Sequence, residues 1–158
     1  MNHESDVCLT FDAALQAAID MENKIYHNYL EALRVVKDQA AREILQEAAT
    51  EKLTYKHKLE QAALEGGLGE LVSQGPVSVM NLSVRCCDQH RIGAEADARK
   101  ALAYAIQMAQ DALKFYRDMA SRCSGAPMAK IFTLLGDDQT RHLQQLEDTF
   151  EEHFLPEG

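Results

Sequence analysis

Five polar side chains interrupt otherwise apolar helical stripes at what reads as one level of the chain: Glu22, Lys52, Tyr55, Gln139 and His142. Together they offer a carboxylate, an ammonium, a phenol, an amide and an imidazole. Two kinds of chemistry use such a set. Carboxylate and imidazole ligate metals or move protons. A carboxylate and an ammonium instead neutralise each other, with amide and hydroxyl groups completing their hydrogen bonds. Charged groups are rarely buried without a partner, so five inward polar residues at one level need a reason.

The stripes that place them repeat at helical spacing. Leu15, Glu22 and Tyr29 fall at every seventh position, as do Leu45, Lys52 and Leu59, and Ala48, Tyr55 and Ala62. Further on, Leu102, Ala109 and Tyr116 align, then Phe132, Gln139 and Leu146, with His142 seven after Leu135. A second register, with Glu51 and Thr54 inward, fits the apolar stripe less well. The pattern predicts four helices over about 11–36, 40–65, 97–122 and 127–154. Thr10 suits the first N-cap, Gly66-Gly67 a helix stop, and Pro127 the first turn of the last helix. Ser124-Gly125 ends the third. The short break near 37–40 makes an antiparallel hairpin of the first two helices. Residues 66–96 then form a long crossover, with Val77, Val79, Met80, Leu82 and Val84 against the bundle. The expected fold is one all-α domain spanning 1–158: a four-helix bundle of two helix hairpins.

The hairpins also resemble each other at an offset of 87 residues, position 14 falling on position 101. Ala14, Leu15, Ala18, Ile19, Met21 and Tyr29 meet Ala101, Leu102, Ala105, Ile106, Met108 and Tyr116. Without a gap, Ile44, Leu59, Glu60 and Glu65 meet Ile131, Leu146, Glu147 and Glu152. Internal duplication follows from that match. It places Glu22 opposite Ala109, Lys52 opposite Gln139 and Tyr55 opposite His142.

Composition narrows the function classes. The chain has 158 residues, 46% apolar and 26% charged, with a net charge of -9. Such acidity disfavours nucleic acid and anionic membrane surfaces, and no run of apolar residues is long enough to span a bilayer. The N-terminus lacks the basic and apolar regions of a signal peptide. Cys8, Cys86, Cys87 and Cys123 form no C-x-x-C pair and no evident disulfide framework. They read as incidental thiols of a cytoplasmic protein, with a redox role for the vicinal Cys86-Cys87 as the alternative.

The phrases Ala-Ile-Asp-Met-Glu at 18–22 with Tyr29, Ala-Ile-Gln-Met-Ala at 105–109 with Phe115-Tyr116, and Leu-Gly-Asp-Asp-Gln-Thr-Arg-His at 135–142 resemble the rubrerythrin branch of the ferritin-like superfamily. The resemblance covers about residues 10–154 and lacks the paired C-x-x-C tail. It implies a ferritin-like bundle, a homodimer, and di-iron chemistry such as peroxide reduction or ferrous-iron oxidation. In that family two helices each give a Glu and two each give a Glu-x-x-His. Carried over, the six ligand positions are Glu22, Lys52, Tyr55, Ala109, Gln139 and His142. Only Glu22 and His142 keep the ligand type, as remnants. Three readings stand: an emptied, non-catalytic scaffold or binding protein with no cofactor, a metal-binding oxidoreductase, and a small-molecule binder. The second would hold iron or another divalent metal on a reassigned set of Glu22, Glu51, Asp138 and His142, with Asp138 and His142 one turn apart. Against it, Glu51 and Asp138 sit just off the core stripe. The sequence names no protein or small-molecule partner.

Overall fold

The computed structural model describes residues 3–69, 71 and 91–154, with only the backbone of 3–5. Its elements are all helical: α1 (His3–Leu9), α2 (Phe11–Val35), α3 (Gln39–Glu65), α4 (Ala98–Arg122) and α5 (Ala129–Phe154).

Three of the four long helices, α2, α3 and α4, begin where a short polar side chain satisfies an orphan backbone donor. Thr10 Oγ1 accepts from Ala13 N at 3.3 Å. Asp38 accepts from Ala41 N, and Asp97 from Lys100 N, both at 3.0 Å. The α3 stop is Gly66, at φ 81°, a left-handed conformation that a Cβ would strain. Between α2 and α3, the Arg42 guanidinium donates to the carbonyls of Leu33 and Val36, capping the end of α2.

The boundaries fall within two residues of the expected ones. The last helix differs for a physical reason. Pro127 lies in the turn before it, where Ala126 N donates to Cys123 O and Ala129 N to Ala126 O. The first regular α-helical bond at that end is Phe132 N to Met128 O, so the helix begins two residues late. Most of the expected crossover, including its apolar residues and Cys86-Cys87, lies outside the described residues.

Packing joins α2 to α3 and α4 to α5, and α3 to α4 between the pairs. The main core runs through Leu15, Ile25, Tyr29, Leu45, Leu59, Tyr116, Phe132 and Leu135. A second cluster, with Leu102, Ile106, Leu113, Leu143 and Phe150, lies between α4 and α5. In its first turns α4 is buried on every side, from Ala101 to Ile106. Tyr104 there packs edge-on against Tyr29. No helix among the described residues is long and apolar enough to cross a membrane.

One feature was not expected. Cys8 on α1 and Cys123 at the end of α4 form a disulfide, with Cα atoms 5.1 Å apart. Met128 N donates to Cys8 O at 3.0 Å beside it. The reading of incidental thiols is therefore corrected for these two residues. With it goes the cysteine argument for a reducing cytoplasmic setting, since disulfides persist chiefly in oxidising compartments. The helix α1 itself escaped the sequence reading because seven residues carry no full stripe. Covalent attachment and packing against α2 hold it instead.

Candidate functional site

The polar level forms around Lys52 on α3. Its Nζ lies 3.2 and 3.1 Å from the two carboxylate oxygens of Glu22 on α2 and 3.1 Å from Oε1 of Gln139 on α5. Glu22 is 0% exposed, Lys52 4% and Gln139 5%, so the cluster is buried. An ammonium has three donors and no acceptor, and these three oxygens saturate it. The same reasoning fixes the Gln139 amide. Only its oxygen can face Lys52, so its nitrogen points elsewhere.

That nitrogen is one of three covered groups in the cluster without a partner: Gln139 Nε2, Tyr55 Oη and Tyr116 Oη. The hydrogen bonds expected from Tyr55 and His142 to the ion pair are not made. Burial first, then the carboxylates of Asp138 and Glu22, push the Tyr55 phenol well above its usual pKa. Asp138 bears on this hydroxyl without closing a bond of normal geometry. Tyr116, fully buried, is raised chiefly by burial and then by Glu22. Both phenols therefore stay protonated and remain hydrogen-bond donors.

His142 lies at the edge of the cluster, its side chain 25% exposed. Burial, then the Lys52 charge, lowers its pKa to about 4. Its Nδ1 is 3.7 Å from Glu51 Oε2, near enough for an ion pair with a protonated ring. At neutral pH the ring is uncharged, so the two groups are neighbours and not an ion pair. Glu51 is half-exposed, and burial followed by Glu47 raises its carboxyl pKa. Asp138 pairs with Arg141 at 3.8 Å on the same helix.

These residues line a cleft of about 280 Å³ that opens beside Lys52. Glu22, Glu51, Asp138 and His142 all border it, but they do not converge. Among the described residues no three His, Cys, Asp or Glu side chains group as metal ligands. Glu22 spends both oxygens on Lys52. The donor set at the six family positions also fails to suit a di-iron centre. Ala109 offers no donor, Gln139 a neutral oxygen, and Lys52 a cation where cations would have to sit. The residues present do not fit that group.

Other groups fall into place around this cluster. His27, His57 and His153 are exposed. Tyr29 is fully buried, its phenol raised by burial and by Tyr104. Glu147 on α5 is fully buried as well. The sequence reading saw it only as the counterpart of Glu60. Its spacing from Leu143 and Phe150, four before and three after, was the signal that placed it inward. No protein-family model, no curated protein and no solved structure matches the chain.

Proposed function

We propose that this chain is a ferritin-like bundle, formed by internal duplication, in which protein charge has replaced a di-iron centre, and that it serves as a non-catalytic scaffold or binding protein. The observation that carries the reading is the buried contact of Lys52 Nζ with both Glu22 oxygens and with Gln139 Oε1. An ammonium in that position supplies the positive charge that metal ions would bring, and it occupies a carboxylate that would have helped to hold them. A bundle can retain its architecture after its chemistry is gone. The offset-related pairs support duplication. Tyr29 and Tyr116 are both buried, as are Leu15 and Leu102, and Lys52 hydrogen-bonds its own counterpart, Gln139.

The test is elemental analysis of the purified protein before and after anaerobic loading with ferrous iron. The expected result is no stoichiometric metal. Two irons per chain would overturn the reading and restore di-iron redox chemistry. The homodimer that goes with the resemblance is read directly by light scattering on the same sample.

A further inference from the structure

A second cleft, of about 370 Å³, lies between α3, α4 and α5. Leu102 and Ala105 of α4 close its floor, and both are buried. Its open walls are Ile44 of α3 with Leu146 and Phe154 of α5, large apolar side chains that stay partly exposed. All three pack on the core cluster between α4 and α5, so the walls are held from behind. The volume falls in the range of small-molecule sites, about 300–1,000 Å³. Hydrocarbon left open in a concave wall gains free energy when an apolar body covers it.

The rim of this cleft selects the charge of that body. Glu47 and Glu51 stand one turn apart on α3, and both line the cleft with exposed side chains. Like charges at that spacing repel each other. Among the described residues no Lys or Arg lines the cleft. The ammonium of Lys52, next to Glu51 in sequence, is held by Glu22 and Gln139. On the facing helix, the His142 ring is uncharged at neutral pH and brings no cation. An anionic head would meet two carboxylates here, and a neutral head would leave their repulsion in place. A cationic head relieves it, and at an open rim it keeps most of its water, so little desolvation opposes the attraction. The net charge of -9 works in the same direction. From Glu51 to Ile44 is seven residues, about 10 Å of helix, a distance that an eight-carbon chain spans.

We infer that this cleft binds an amphipathic monocation, its ammonium head at Glu47 and Glu51 and its alkyl tail on Ile44, Leu146 and Phe154. This names a ligand for the binding role proposed above and rests on that reading.

The test is calorimetric titration of the full chain, at neutral pH and low salt, with octylamine, octanoate and butylamine. Octylamine is expected to saturate one site per chain. Octanoate, with the same tail length and the opposite charge, should bind about tenfold or more weakly. Butylamine, four methylenes shorter, should bind about a hundredfold more weakly. Two variants locate the site. Glu47→Gln combined with Glu51→Gln should remove most of the preference for the amine over octanoate. Its melting temperature should hold or rise, since only a like-charge repulsion is lost. Thr149→Trp starts from an exposed position of α5 that lines the cleft. Its ring should occupy the tail site and weaken octylamine binding about tenfold or more with melting unchanged. No saturable octylamine binding, an equal or tighter fit for octanoate or butylamine, an undiminished preference in the double variant, or parental affinity in Thr149→Trp would overturn the inference. Iron content on the same preparation separates the two failures. A chain without iron that ignores octylamine sinks the ligand alone, whereas two irons per chain sink the scaffold reading on which it rests.

Discussion

The two hairpins meet the same polar level with different chemistry. The first, α2–α3, contributes both formal charges, Glu22 and Lys52, across a contact of about 3.1 Å. The second, α4–α5, contributes Ala109, a buried methyl, and Gln139, a neutral amide that accepts from Lys52. The charge problem is thus solved inside one hairpin, and the other supplies only a lone pair and shape. This division has an energetic reason. Desolvating two charges is tolerable when they face each other, and a third charge from the second hairpin would have no counterpart. The asymmetry also leaves the second hairpin with spare donor capacity, at Gln139 Nε2 and Tyr116 Oη.

The comparison breaks most visibly if the first hairpin loses its cation. Lys52→Met should cost about 3–5 kcal/mol in denaturant unfolding, because Glu22 is left buried and unpaired. Adding Glu22→Leu should recover much of that loss. The counterpart change in the second hairpin, Gln139→Met, removes one acceptor and should cost about 1–3 kcal/mol. Equal costs for Lys52→Met and Gln139→Met would mean that the charge is not confined to one hairpin.

Next in size is the Cys8–Cys123 link, which joins α1 to the turn of the second hairpin. Reduction, or Cys123→Ser, should lower stability by about 2–4 kcal/mol through the freed chain entropy of the unfolded state. A smaller effect is expected from His142. Its folded pKa, about 4, lies below the ordinary value of 6.5. The unfolded chain therefore binds the proton first as pH falls, and stability rises with pH across that window. It should be complete above about pH 6.5 and decline towards pH 4, and His142→Asn should flatten that slope. Glu51, raised and half-exposed, works weakly in the opposite sense. A melting profile unchanged by the substitution would show that the ring titrates as if in water. Smallest of all, Tyr116→Phe removes a covered hydroxyl without a partner and should shift stability by less than about 1 kcal/mol, in either direction.

The four long helices were legible because each carries a stripe long enough to set its own phase, and because Thr10 and Gly66 sit where caps and stops must. The inward direction of Glu22, Lys52 and Gln139 followed from the same phase. So did the pairing of Lys52 with Glu22 and Gln139, but bonds from Tyr55 and His142 to that pair are not made. Tyr55 and His142 share the level of Lys52, but their side chains lean toward the cleft, a matter of rotamers that periodicity does not fix. The disulfide was illegible for a different reason. Its cysteines are 115 residues apart, and only the completed packing of α1 against the end of α4 brings them together. The inward position of Glu147 is carried by its spacing from Leu143 and Phe150 on α5, a signal that the offset match to Glu60 does not contain.

The link between Cys8 and Cys123 also changes what a cut in the backbone means. It closes residues 8–123 into a covalent ring that contains α2, α3 and α4, with α5 attached as a tail. A protease that severs any single peptide bond within that ring opens it without dividing the molecule. The nicked protein would run as one band on a non-reducing gel and as two after a thiol is added, and both hairpins would stay tethered for refolding.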